Sequence, residues 1–325
     1  MKFGKLAAAA LAIAATACGA NAQEFPVRPI TMIVPFAAGG PTDVVARITA
    51  ESMSRSLGQQ VVIENAVGAG GTTGSTRAMR ANADGYTIVM GHMGTHAASV
   101  ALYPKLAYDP IKDFEPIGLV AGISVLILAK KDFPAKDLKE FITYVKANSD
   151  KLNMAHAGVG SVSHVTCLLL NSLIDAKPTA VPFNGTGPAM NALVGGQVDY
   201  MCDQIVNVVP QINGGTIKGY AIGTPERSPV LANVPTSTEA GLPKFQASAW
   251  NALFAPKGTP KPVLDKLTAA LNTALDDPAA RKRLLDLGAD IPNASGRGQA
   301  ALTTFVSSEI AKWTPIIKDA GATVN

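Results

Sequence analysis

Ile30-Thr31-Met32-Ile33-Val34-Pro35-Phe36-Ala37-Ala38-Gly39-Gly40-Pro41-Thr42-Asp43 is the stretch on which the reading of this fold turns. Ile30 to Val34 is a short apolar, β-branched run and reads as a strand. A loop of small residues follows, and helix periodicity then starts at once: Val44, Val45, Ile48 and Leu57 share one face, and Gly58 supplies the stop. The unit is strand, small-residue loop, helix.

The same unit recurs along the chain. Val61 to Glu64 leads into Gly68-Ala69-Gly70-Gly71-Thr72-Thr73-Gly74 and a helix through Ala83. Tyr86 to Met90 leads into Gly91-His92-Met93-Gly94-Thr95-His96, which reads as a loop. Leu152 to Ala155 leads into Ala157-Gly158-Val159-Gly160-Ser161-Val162-Ser163-His164 and an apolar helix over Val165 to Ile174. Thr179 to Phe183 leads into Asn184-Gly185-Thr186-Gly187-Pro188 and a helix that Gly195-Gly196 ends. Five such units predict an α/β protein with mostly parallel sheets flanked by helices, and ligands in such sheets sit beyond the carboxyl ends of the strands. Ile117 to Ala129 is an uninterrupted apolar stretch that could cross between two lobes, and the chain returns around Phe245 to Pro256. One lobe is therefore expected from residues 23–121 and 251–325 and the other from 122–250, with a cleft between them. Val263 to Leu287 and Ala300 to Lys318 read as helices.

Any one of these loops is adequately explained as a tight turn with close helix–sheet packing. Five of them shift the reading towards a binding cleft. None contains Lys or Arg, so an anion there is held by helix N-termini, backbone N–H groups and hydroxyls.

Composition agrees with a compact exported protein. The chain has 325 residues, 47% hydrophobic and 16% charged, with 30 Gly and 22 Pro. Disorder, coiled coil and disulfide-dense miniprotein are excluded. The formal charge of +4 falls to about +2 without Lys2 and Lys5, which leaves no electrostatic case for nucleic acid or an anionic membrane. Met1 to Lys5 and the Ala-rich run Leu6 to Ala17 form a signal peptide ending in Ala20-Asn21-Ala22, so residues 1–22 are expected to be removed. Ala15-Thr16-Ala17-Cys18 is a poor lipoprotein box, which disfavours lipidation through Cys18. Cys167 and Cys202 remain, either bonded in an oxidising compartment or as two buried thiols.

Catalytic signatures are missing. No G-x-S-x-G, H-E-x-x-H or Walker A motif occurs. His92 and His96 stand four apart, but the glycines around them suit a hydrogen-bonding wall better than a metal site. His164 follows Ser161 and Ser163 without an orienting acid, so an exported hydrolase built on Ser161 and His164 is a weak rival, and the three residues read as helix N-terminal donors. Asp203 ends an apolar strand, Val198 to Cys202, and can cap a helix or accept from a ligand hydroxyl.

Pro26-Val27-Arg28-Pro29-Ile30 with Val34 to Asp43 resembles the mature start of the Bug receptors, the solute-binding proteins of tripartite tricarboxylate transporters. The resemblance continues in order through Glu64-Asn65, Gly68 to Gly71, Asp84-Gly85-Tyr86-Thr87, Thr95-His96 and Leu102-Tyr103. It runs on through Asp113-Phe114, Ala157 to Ser161, Asn184 to Ala189 and Gly195 to Asp199. It closes with Val234-Pro235-Thr236, Glu239 to Pro243, Trp250 and Ala255 to Pro260, and so covers essentially the whole mature chain. The resemblance implies a periplasmic, type II-like two-lobe binding protein that closes on a small carboxylate such as a di- or tricarboxylate, an acidic amino acid or an aromatic acid. It implies no cofactor, no metal and no catalysis; the expected partner is a membrane permease, or alternatively a sensor kinase, and a monomer is expected. Two departures bear on the ligand: Ala66-Val67 stands where many relatives carry Arg-Pro, and Cys202 where Phe is common.

On this reading a ligand carboxylate docks between the first loop, with Phe36, Ala38, Gly39, Thr42 and Asp43, and the loops of the second lobe. The latter supply Gly158, Ser161, Ser163, His164, Phe183, Asn184, Gly185 and Thr186. Gly71, Thr72, Thr95, His96 and Asp203 complete the expected site, with Thr42, Thr72 or Thr95 reaching a distal polar group.

Overall fold

The computed structural model describes residues 25–319; the expected leader, its cleavage after Ala22, and Cys18 lie outside them. Ten strands form one curled, mixed sheet in the order β2-β1-β3-β9-β4-β7-β5-β6, with β8 and β10 also paired to β4. β1 (Ile30–Val34), β2 (Val61–Asn65) and β3 (Thr87–His92) are a parallel trio. β5 (Asn153–His156), β6 (Thr179–Pro182) and β7 (Tyr200–Gln204) are a second one.

Antiparallel strands join the trios. β4 (Phe114–Lys130) pairs with β9 (Ser248–Pro256) from Phe114 to Ser124, and with β7 and β8 (Ile217–Ile222) from Val125 onward. β9 in turn pairs with β3. Ala247 N–H donates to the Gly223 carbonyl, Gly223 N–H to that of Val125, and Val125 N–H to that of Ala247, so the seam between the halves is itself hydrogen-bonded. β10 (Ala289–Asp290) pairs antiparallel at Gly122 and Ile123.

The helices follow the chemistry of their ends. α1 (Pro41–Leu57) has Pro at N1, where a missing N–H costs nothing, and ends at Gly58 in the left-handed region. α2 (Thr72–Met79) is short, and α3 is the single turn Ser99–Leu102. α4 (Leu138–Ala147) is capped by Asp137, whose side chain accepts from Glu140 N–H while the Glu140 carboxylate accepts from Lys136 N–H. α5 (Val162–Leu173), α6 (Thr186–Val194) and α7 (Ile205–Asn213) follow β5, β6 and β7. Cys167 in α5 and Cys202 in β7 are joined by a disulfide with Cα atoms 5.4 Å apart. The core runs without a break beneath both halves, from Met32 and Met90 through Ile123 and Val125 to Tyr200 and Phe141.

Three local expectations change. The stretch Gly91 to His96 is not a loop: β3 runs through His92, and Gly94–Ala98 is a π-helical turn. The helix over Val263 to Leu287 is two, α8 (Lys261–Asp276) and α9 (Pro278–Asp286), because Pro278 cannot continue the first and Asp277 caps the second. The sheet is mixed where the four central and flanking strands β4, β8, β9 and β10 run against their neighbours. α10 (Gln299–Asp319) closes the chain; its Glu309 accepts from both Trp250 and Trp313 indole N–H groups.

Candidate functional site

The carboxyl ends of the two parallel trios face each other across the seam, and their loops touch. Ala37 N–H donates to the Asn184 carbonyl at 3.1 Å. Tyr103 Oη lies 2.5 Å from the Val159 carbonyl and 3.1 Å from that of Ala69. Gly70, at φ +61°, abuts the Val159 carbonyl so closely that no Cβ fits there, and a Cβ at Gly40 would stand 3.3 Å from Thr186 Oγ1. The cleft is closed.

Inside it lies a narrow cavity of about 10 Å³. Phe36, Gly40, Pro41, Thr42 and His92 line it from the first trio's side. Ala157, Ser161, Val162, Ser163, Thr186 and Gln204 line it from the other. No Lys or Arg is among them. The N-termini of α1, α5 and α6 converge here, each with first-turn N–H groups that no helix carbonyl can satisfy. This arrangement presents partial positive charge and neutral donors to a buried space, which suits a carboxylate. A second, more open cavity of about 380 Å³ lies beyond Phe36, with Gly71, Tyr103, Gly158, Phe183 and Asn184 in its walls.

The first wall is tied from behind. Asp43 accepts from Gly39 N–H at 3.0 Å, Arg47 Nε at 2.9 Å and Asn65 Nδ2 at 2.9 Å, and Asn65 also donates to the Phe36 carbonyl. Burial pushes the Asp43 carboxyl up, but Arg47, Gly39 N–H and Asn65 outweigh it and hold it below the ordinary value. Its oxygens are engaged by the loop's own frame.

The second wall is tied by hydroxyls. Ser161 caps α5 by accepting from His164 N–H at 3.3 Å; its hydroxyl is 3.1 Å from that of Ser163, which accepts from Ala157 N–H. His164 Nδ1 accepts from Gly160 N–H, and the ring packs on His156 with centroids 4.6 Å apart. Burial lowers the His164 imidazole to about 3. Ser161 Oγ meets the backbone of His164, not its ring, so the pair required for a hydrolase is not assembled.

The remaining expected residues are distributed unevenly. Asp203 is buried, accepts from Gln204 N–H at 2.8 Å and Asn207 Nδ2 at 2.6 Å, and so braces the start of α7. Burial raises its carboxyl to about 7 against those hydrogen bonds and that of Thr186. Thr95 and His96 lie behind the cavity: their side chains bond each other at 2.9 Å, and His96 stacks on Phe254 at 4.1 Å. Burial lowers the His96 ring to about 3. Thr72 faces a separate open groove of about 770 Å³ beside Arg77 and Arg80. Ala38 and Gly39 are exposed at the cleft mouth, and Gly185 packs on Ala37.

Gln204, Gly40, Pro41, Ala157 and Val162 line the cavity but escaped sequence reasoning, and His92 was seen there only as a wall. Successive strand residues point to opposite faces, so the choice of Asp203 at the end of β7 concealed its neighbour Gln204. His92 stacks on Phe36 at 4.7 Å, and burial lowers its ring to about 4.

A closed two-lobe α/β receptor with an uncharged donor cradle is a solute-binding protein of the periplasmic type. Residues 45–322 match the model of the tripartite tricarboxylate transporter family receptor (TctC), and the chain belongs to that family. It is 43% identical, over 93% of its length and 87% of the relative's, to a UPF0065 protein of the TAR-I ttuE-ttuC' intergenic region of Agrobacterium vitis. It is 33% identical to the protein BugT of Bordetella pertussis, over 96% of this chain and 95% of that one. Among solved structures, MatC from Rhodopseudomonas palustris with bound malate is 55% identical, with TM-score 0.89 over 90% of this chain and all of that one. The periplasmic binding protein BugD is 44% identical, with TM-score 0.90 over 92% of this chain and all of that one. The family and these solved relatives are binding proteins.

Proposed function

We propose that this chain opens to capture a small dicarboxylate between the walls of this narrow cavity and delivers it to the membrane permease of a tripartite tricarboxylate transporter. Residues 23–121 with 251–325 form one lobe and 122–250 the other, and the mature receptor works as a periplasmic monomer. The observation that carries this is the convergence of the α1, α5 and α6 N-termini on a cavity lined by no charged side chain. One ligand carboxylate docks on Ser161, Ser163 and Thr186 and the first-turn N–H groups beside them; the body of the ligand packs on Phe36, and its far end meets Thr42. The bound malate of MatC, 55% identical, supports a four-carbon diacid as the starting choice. Exclusion of water strengthens each hydrogen bond, because the local dielectric falls.

The test is a thermal-shift series on protein unfolded and refolded to strip retained ligand. At 100 times its Kd a ligand stabilises the fold by about 2.7 kcal/mol, several degrees at this size. Malate, succinate or fumarate is expected to give that shift and glucose none. Absence of a shift with every four- to six-carbon diacid overturns the reading.

A further inference from the structure

The cavity is rich in donors and contains one acceptor that nothing supplies. Gln204, 3% exposed, closes β7 and begins α7 at the cavity wall, and no donor reaches its Oε1. A buried acceptor left unpaired is costly and is normally satisfied by something. A carboxylate cannot do so, since it offers only acceptors. The ligand must therefore bring a donor of its own.

The opposite wall defines the kind of donor. His92 Nδ1 accepts from Gly94 N–H at 2.9 Å and Thr95 N–H at 3.2 Å, which places the ring proton on Nε2. The hydrogen bonds of His92 among the described residues use its backbone and Nδ1 and leave Nε2 to the cavity side, and burial keeps the ring neutral. One half of the molecule thus offers a neutral N–H and the other a neutral carbonyl oxygen. A hydroxyl, which donates one hydrogen bond and accepts others, suits both. An ammonium would want a carboxylate with a spare oxygen, but the oxygens of nearby Asp203 are engaged by Gln204 N–H and Asn207.

Resting on the dicarboxylate reading above, we infer that Gln204 and His92 are specificity-determining residues that read a ligand hydroxyl, selecting a hydroxy-dicarboxylate over the same diacid without it. Sites built to pair a hydroxyl reject the analogue that lacks it, because their own polar groups are then stranded.

Calorimetric titration of the refolded protein with L-malate, succinate and L-aspartate tests this, since malate and succinate differ only by the hydroxyl. Wild type is expected to bind malate at least about tenfold more tightly than succinate. In Gln204→Leu the ratio should fall towards one while the succinate Kd moves less than about threefold. Gln204→Met, nearly isosteric, reads the same ratio if the leucine variant does not fold. Equal wild-type affinities for malate and succinate overturn the inference alone, as does equal weakening of both ligands in the variants. Tighter binding of aspartate assigns the acceptor to an ammonium and overturns it too. Failure of all three ligands to bind wild type removes the dicarboxylate reading itself and this inference with it.

Discussion

The Phe36 to Asp43 loop of the first half is held by charge: Asp43, Arg47 and Asn65 clamp it from the side away from the ligand. The Gly158 to Ser163 loop of the second half has no ion pair behind it among the described residues; it is held by Ser161 and Ser163, by Gly160 on His164, and by the disulfide that pins α5 to β7. Both nonetheless present an uncharged wall to the cavity. A loop can thus be fixed ionically without lending its charge to the site, provided that the ion pair faces outward and is internally neutral.

The comparison can be broken most severely by acid, because each half contains two buried histidines. Burial holds His92 at about 4, His96 and His164 at about 3, and His156 below its ordinary value. Their folded values lie below the unfolded one of about 6.5, so the stability they lend is present above it and lost as pH falls. Asp203, raised to about 7, has the opposite sign: its contribution is greatest below pH 4 and is lost as pH rises towards 7. His92, His96 and His164 against one aspartate give a net loss on the order of 3 kcal/mol per unit between pH 5.5 and 4.5, and His156 adds to it in the same direction. Urea unfolding at stepped pH checks this, and Asp203→Asn should steepen the profile. A flat profile across that window would show that the histidines are not held neutral in both halves.

Reducing the disulfide, or making Cys202→Ser with Cys167→Ser, is the next largest effect. It frees a 35-residue span and should cost roughly 4 kcal/mol in urea unfolding. Hydrogen exchange should rise around α5 and β7 and stay unchanged around α1. The two braces can then be compared directly. Asp43→Ala strands Gly39 N–H, Asn65 and Arg47 and should cost about 2 kcal/mol, with a weaker loss for Asp43→Asn. Ser161→Ala removes a single cap and should cost about 1 kcal/mol. The order of these two losses decides whether the ionic brace is the stronger one. The smallest effect concerns salt: a charge-free cradle should hold its affinity for a diacid within about threefold between 50 and 500 mM NaCl.

The repeated strand–loop–helix unit and the basic-residue-free loops were legible because they rest on local rules: β-branched runs, Gly at turns, Pro41 at a helix start. What was not legible depended on partners distant in sequence. α4 was overlooked although Asp137 and Glu140 form its capping pair, because its charged surface hides the apolar face of Leu138, Phe141 and Val145. Thr95 reads as a hydroxyl reaching the ligand and His96 as a wall residue; the π-helical turn instead pairs their side chains with each other behind the cavity. Gln204 could not be distinguished from Asp203 without knowing which face of β7 meets the cavity. The halves themselves could be seen, but the use of Asp43 as a brace could not, since Asn65 lies 22 residues away from it.

β4 runs from Phe114 to Lys130 as one strand, changes partner from β9 to β7 and β8 after Ser124, and carries register shifts on both sides of that change, beside Gly118, Ala121 and Leu128. In mechanical terms this is a torsion bar, not a pivot pin. Among the described residues the seam at Ser124, Val125 and Ala247 lies in the hydrogen-bonded ladder, so any rotation of one half against the other has to be taken up as sheet twist shared among several residues. Neighbouring strands tolerate twists of roughly −10 to −35°, beyond which the ladder resists. A restoring torque set by such a ladder grows with angle, so any opening of the cleft is bounded by the sheet.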